Sequence, residues 1–180
     1  FADLAFADLA RDYAERFLGG RDLAAKVYWD EVPPQVRAFD PQNRLIFSVG
    51  PLAAFPVVGG SRWEVCGKSP GTVPSDRFSQ GSRGGHWGGH FRLAGLDALI
   101  VQGQAEKPVY LLIEDGVAEL RDASHLWGKG AIKVRGLLKE ELGSTARVVP
   151  RSSSVAPPLG TVVATGFWPP VVVTSKLSKK

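Results

Sequence analysis

Residues Gly81 to Gly103 read GSRGGHWGGHFRLAGLDALIVQG, and how this stretch is parsed decides the architecture on either side. Gly81, Gly84, Gly85, Gly88 and Gly89 fall within nine residues. That density predicts a loop rather than a helix or strand, because glycine loses more conformational freedom on ordering than any other residue. Successive N–H groups in such a loop can form an anion nest. Arg83, His86, His90 and Arg92 place cationic or hydrogen-bonding side chains beside it. On the bare residues such a loop, with no helix start expected after it, is more often a tight connection with no ligand. The loop then enters ALIVQ, Ala98 to Gln102, a continuous apolar run expected to be a fully buried strand.

Upstream, Leu4, Phe6, Leu9, Tyr13, Phe17 and Leu18 recur near helical spacing, and Gly19-Gly20 is expected to stop that helix. Leu23, Ala24, Val27 and Tyr28 form one stripe of a second helix over Arg21 to Val32, ended by Pro33-Pro34. A turn at Asp40 to Asn43 precedes the strand Arg44 to Val49, and Arg62 to Cys66 alternates as a second strand. Lys68 to Gln80 reads as Ser, Gly and Pro loop. Downstream, Val109 to Glu114 and Val117 to Arg121 flank Asp115-Gly116, a hairpin signal. A turn at Trp127 to Gly130 leads to an amphipathic helix, Ala131 to Leu142, ended by Gly143. Strands in the middle with helices flanking them make the predicted class α+β, a β-rich cradle.

The 180 residues carry 44% hydrophobic and 22% charged side chains with net charge +4, a composition of globular chains. The basic residues are scattered, which argues against a nucleic-acid binder. No apolar run reaches membrane-spanning length and no signal-peptide pattern is present, so neither membrane nor export is indicated. Cys66 is the single cysteine. It excludes an internal disulfide, suits a reducing cytoplasm, and is expected to be a small buried hydrophobe rather than a reactive thiol. His86 and His90 stand at i and i+4, but Gly88 and Gly89 are expected to break a helix there and only His125 remains as a third ligand, so zinc is disfavoured. His125, in the turn that Asp122 or Ser124 could cap, is expected to be structural. Trp29, Trp63, Trp87 and Trp127 read as core or as a shelf for a cofactor. FADLA repeats at 1–10, and residues 150–180 hold serines and prolines without a helix signal. The organisation expected is a domain over 1–149 and an irregular or disordered tail over 150–180, in which Thr161 to Val163 and Val171 to Thr174 could be short strands.

LGGRDLAAKVYWDEVPP (Leu18 to Pro34), NRLIFSVGPL (Asn43 to Leu52), GGSRW (Gly59 to Trp63), KSP (Lys68 to Pro70), GGHWGGHFRLAGLDALIVQGQAEKPVYLLIEDG (Gly84 to Gly116) and RDASHLWGKGA (Arg121 to Ala131) occur in this order. Together they resemble the N-terminal domain of the tungsten-containing aldehyde ferredoxin oxidoreductases, over about Tyr13 to Val149. The resemblance implies a β-rich base for a tungsten (or molybdenum) bis-pterin with a bridging magnesium. It aligns Arg62 with a pterin-contacting arginine, Ser82 with an asparagine whose backbone carbonyl helps hold the magnesium, and Gly84 and Gly85 with close-approach glycines. Arg83 stands in place of a small residue, and Ser61 is an extra one. Dithiolene sulfurs would ligate the tungsten, so no catalytic residue is expected in this chain, and the [4Fe–4S] cysteines belong to later domains of the parent enzymes.

The activity implied for an intact enzyme is oxidation of an aldehyde to a carboxylate with ferredoxin as acceptor, in the cytoplasm, with a homodimer as a further implied partner. KVYWDEVPP, the Trp of GGHW and HLWGKGA lean toward a second member of the family, the tungsten subunit of class II benzoyl-CoA reductases. A third alternative is a non-catalytic remnant that binds no cofactor. Both ends depart from the family pattern, as a truncated or frame-shifted copy would, so this chain alone is expected to catalyse nothing. The missing first strand is expected to leave a sheet edge unpaired and to reduce solubility.

Overall fold

The computed structural model describes residues 11–103, 105, 107–114, 117–149 and 171–176. The FADLA repeat, the Asp115-Gly116 turn and the Thr161 to Val163 piece lie outside the described residues. The elements are α1 (Arg11–Arg16), α2 (Gly20–Glu31), β1 (Arg44–Val49), β2 (Trp63–Ser69), β3 (Arg77–Arg83), α3 (Trp87–Leu93), β4 (Ala98–Gln102), β5 (Val109–Glu114), β6 (Val117–Asp122), a 3-10 turn at Ser124–Leu126, α4 (Ala131–Leu142), β7 (Arg147–Val149) and β8 (Val171–Lys176). The fold is α+β, as the sequence predicts.

Two four-stranded sheets form, in the orders β3-β2-β1-β4 and β6-β5-β8-β7. The first is antiparallel throughout, with Phe47 opposite both Val65 and Leu99. In the second, β8 lies parallel to β5 and antiparallel to β7, so it joins the two. The valines of Val171 to Thr174 thus sit in a strand rather than in an irregular tail.

Alternation along the strands sorts side chains into three cores. Phe47, Val49, Trp63, Leu111 and Ile113 meet Trp87, Phe91 and Ala94 of α3 between the sheets. On the outer face of the first sheet, Ile46 and Cys66 pack under Leu23, Ala24, Val27 and Tyr28 of α2, the stripe expected from the sequence. Tyr110 and Leu112, on the outer face of the second, pack under Val134, Leu138 and Leu142 of α4. The order of layers is therefore helix, sheet, sheet, helix, with α3 wedged at the seam.

Local chemistry explains the joints. Gly19 (φ +113°) and Gly20 (φ +58°) make the break between α1 and α2. A side chain at Gly19 would meet the Val49 carbonyl at 3.0 Å. After α2, the Lys68 ammonium donates to the carbonyls of Pro33, Pro34 and Val36 at 3.3, 2.6 and 2.5 Å. Tyr28 Oη donates to Asn43 Oδ1 at 2.7 Å, and Asn43 Nδ2 donates to the Ala38 carbonyl at 2.7 Å. Those bonds satisfy the buried amide of Asn43, which unpaired would cost about 1–3 kcal/mol.

The structure corrects several expectations. The glycine-dense stretch is not one loop: β3 runs through Gly81 to Arg83 and α3 contains Gly88 and Gly89. The supposed loop Lys68 to Gln80 contributes the end of β2 and the start of β3. Strand β4 is half-buried rather than fully buried, because it is a sheet edge. Trp63 and Trp87 are core, whereas Trp29 and Trp127, 83% and 51% exposed, are not. Cys66 behaves as expected. Burial first, and the Glu64 carboxylate second, push its thiol up to about 12. A thiol-specific reagent at pH 8 should therefore leave native Cys66 unlabelled and label it only on unfolding, measured by mass spectrometry; rapid labelling of the native chain would contradict this burial.

Candidate functional site

The site is assembled at one end of β2 and β3. Before β2 the chain makes a tight turn in which Gly60 N–H bonds the Val57 carbonyl at 3.0 Å and Arg62 N–H bonds the Gly59 carbonyl at 3.3 Å. A Cβ at Gly60 would lie 2.8 Å from the Leu52 carbonyl, so this turn closes only around glycine. The turn delivers Arg62 to the start of β2. Register places Ser82 of β3 opposite Glu64 and Arg83 opposite Trp63, which brings Ser82 beside Arg62. The Ser82 hydroxyl accepts from Arg62 Nε at 3.0 Å and from Nη2 at 2.8 Å. One edge of the guanidinium fork is thereby held, and Arg62 is fixed in direction while still exposed.

Glu64 occupies the same face as Arg62 and Ser82, since alternate strand residues share a face. Its carboxylate lies 3.7 Å from the Arg21 guanidinium and is 13% exposed, against 55% for Arg21. Glu64 Oε2 has no hydrogen-bond partner among the described residues. Arg21 and Arg62 outnumber Glu64 on this face, while Arg83, opposite Trp63, stands on the other face of the same strand end, so the end of the sheet is electropositive and suits an anion.

Beyond Arg83 the chain passes Gly84 and Gly85 before α3. Gly85 has φ +96°, and a Cβ at either glycine would meet nothing within 4 Å. Open space thus lies against this backbone, which follows directly on Arg83 in the chain. The contrast with Gly88 and Gly89 is sharp. A Cβ at Gly88 would fall 2.5 Å from the Ser61 carbonyl and 3.3 Å from Trp63 Cδ1, and one at Gly89 would fall 3.0 Å from the Ala53 carbonyl. These two glycines seat α3 directly on the turn that carries Arg62. Sequence reasoning took them for helix breakers, and only their spacing of one turn from the aromatic Phe91 hinted otherwise.

Under the site lies an aromatic floor. Trp63 and Trp87 rings stand 4.8 Å apart, Trp87 stacks on Phe91 at 4.8 Å, and Phe47 lies 6.0 and 6.1 Å from the two indoles. Such contacts make a rigid base for the strand ends above.

A family model described as "Aldehyde ferredoxin oxidoreductase, N-terminal domain" matches residues 3–151. The chain belongs to this family. The tungsten-containing aldehyde ferredoxin oxidoreductase of Thermococcus kodakarensis is 39% identical over 137 residues, 76% of this chain and 22% of that protein. The Pyrococcus furiosus protein of the same name is 37% identical over 142 residues, 79% of this chain and 23% of its own length. A second Pyrococcus furiosus relative, the WOR-like subunit of an aliphatic sulfonate oxidoreductase, is 34% identical over 140 residues. Among solved structures, the active site complex BamBC of benzoyl coenzyme A reductase with 1,5-dienoyl-CoA aligns with a TM-score of 0.74 and 39% identity, over 79% of this chain and 21% of that one. The chain spans about a fifth of the length of the curated relatives it matches.

The tungsten–pterin group that this family implies fits the residues present. An oriented arginine, a second exposed arginine and open space against Gly84 and Gly85 form the donor set and the room that a phosphate-bearing ligand requires. Among the described residues no group of three or more His, Cys, Asp or Glu could hold a metal, so any metal here would be carried by the ligand's own atoms and backbone carbonyls. No described helix is long and apolar enough to cross a membrane.

Proposed function

We propose that this chain is the pterin-cradling N-terminal domain of a tungsten (or molybdenum) oxidoreductase that oxidises aldehydes to carboxylic acids with ferredoxin as electron acceptor. The observation that carries this reading is the Arg62 fork, locked on one edge at 3.0 and 2.8 Å by Ser82, which lies two residues before the open Gly84–Gly85 backbone in the chain.

Arg62 binds and orients a pterin phosphate through its remaining N–H groups, in charge-assisted bonds. Ser82 has two separable roles. Its hydroxyl holds the guanidinium, and its backbone carbonyl would help hold a magnesium ion that accompanies the cofactor, a role that survives loss of the side chain. Arg83 adds charge at the mouth, and Gly84 and Gly85 let the ligand approach the main chain. The buried indole floor keeps water from beneath the strand ends. When bound, the tungsten–pterin group supplies the two-electron redox chemistry, and the protein supplies its placement. The [4Fe–4S] cluster, the substrate pocket and any homodimer contact are assigned to parts of the intact enzyme outside this chain, and the cytoplasm is the proposed compartment. The likeness to BamBC at 39% identity favours a second reading, a benzoyl-CoA reductase-type tungsten subunit, in which the same cradle serves a reductase.

The test is the metal and pterin content of the chain purified from a host that makes tungstopterin, read by elemental analysis and pterin fluorescence. Stoichiometric cofactor is expected in the wild type. Arg62→Ala should bind about tenfold to a hundredfold more weakly, the worth of one or two charge-assisted bonds. Ser82→Ala should show a smaller loss. A folded wild-type chain without cofactor would leave only the remnant, and equal cofactor in Arg62→Ala would remove Arg62 from the cradle.

A further inference from the structure

We propose that His86, His90 and Arg147 form a second anion subsite, built for a phosphate group and separate from the Arg62 site. It goes beyond the pterin-cradle reading and does not rest on it.

The geometry comes from α3 and β7. His86 caps α3 at its start, and His90 follows one turn later, its N–H bonded to the His86 carbonyl at 3.2 Å. Residues four apart share a helix face, so the two imidazoles rise on one side. Strand β7 packs against this helix and begins with Arg147. His90 Nδ1 and Arg147 Nε are both shielded from solvent, and neither has a hydrogen-bond partner among the described residues. Two shielded polar atoms on facing elements both want a partner.

The electrostatics give the sign of that partner. His90 has its basicity lowered by burial first, then by the positive charges of Arg147 and His86. Among the described residues the charges acting on His90 are these two alone, both positive. Arg92, on the same helix, is taken by Asp97, and Arg44 of β1 is taken by Glu31. Arg147 Nη1 donates to the Ser144 carbonyl at 3.4 Å. His125 is engaged elsewhere by Glu141 at 3.2 Å. Arg147 would repel a divalent cation, and among the described residues no group of three or more His, Cys, Asp or Glu could hold one. Like charges gathered in a half-buried place are stabilised by an anion, and a planar guanidinium beside two imidazoles offers a tetrahedral oxyanion donors from several directions.

The probe is inorganic phosphate added to the full 180-residue chain at constant ionic strength, with chloride as the control. Histidine side-chain NMR follows each ring. Phosphate should produce a saturable response at His90 and raise its titration midpoint by about one unit, as a nearby opposite charge does. Arg147→Gln should weaken phosphate binding about tenfold or more. Arg147→Lys, which keeps the charge without the fork and preserves the strand, should weaken it about threefold. Arg62→Ala should leave the His90 response unchanged. The proposal is overturned by the absence of a saturable phosphate response at His90, by an equal response to chloride, by unaltered affinity in the folded Arg147 variants, or by loss of the His90 response in Arg62→Ala. A folded wild-type chain that binds no pterin would sink the cradle reading and leave this subsite standing.

Discussion

Gly88→Ala should destabilise the protein by about 3 kcal/mol, although it places a better helix former in a helix. In α3 the added methyl would lie 2.5 Å from the Ser61 carbonyl, a backbone atom that cannot rotate away. Either α3 lifts from the sheet or the Gly59–Arg62 turn shifts. For a chain of this size the expected fall in the thermal midpoint is roughly 6–12 °C. Gly136→Ala in α4 is the matched control. That glycine is exposed, and a Cβ there meets nothing within 4 Å, so the same substitution should stabilise by about 0.5–1 kcal/mol. Opposite signs from one chemical change would isolate close approach as the cause. Two stabilising results would mean that α3 does not sit on the turn as described.

The second large effect is at Phe91. Its side chain is fully buried and stacks on Trp87 within the core where α3 meets both sheets. Phe91→Ala should cost about 3–5 kcal/mol, through lost apolar burial and the cavity left among rigid neighbours. Because Trp87 and Trp63 lie directly alongside, their fluorescence should change in the native state of the variant, before any unfolding. Phe91→Leu should recover part of the stability by refilling volume. A loss below about 1 kcal/mol in chemical denaturation would show that this core relaxes around the gap.

Much of this fold can be read from the chain, for physical reasons. RLIFSV and ALIVQ are apolar runs bounded by turn residues, and they form β1 and β4 at the residues expected. AIKVRGLLKEEL carries Val134, Leu138 and Leu142 at helical spacing, and it forms α4 over its full expected length. RFSQGSR was missed because β3 is a sheet edge exposed along most of its length, so it needs no apolar alternation and shows none. Helix α3 was missed because propensity counts Gly88 and Gly89 as penalties, while tertiary contact requires both. Arg62 and Ser82 were legible as candidate site residues only through the family resemblance. Their bond depends on the register of β3 against β2, a long-range pairing that no local pattern encodes.

The two sheets occupy separate stretches of the chain: β1 to β4 lie within residues 44–102, and β5 to β8 within 109–176. A chain emerging from the ribosome can therefore finish the Arg62-bearing sheet with local antiparallel contacts while the second sheet is unsynthesised. At that stage Trp63, Trp87 and Phe91 face the place that Leu111 and Ile113 will later fill. β8, whose register with β5 spans 62 positions from Val109 to Val171, closes last, since distant pairings form slowly. Birth order thus leaves the aromatic floor uncovered for the time it takes to translate the C-terminal half, and that interval is when the nascent protein is most open to chaperones and to misassembly.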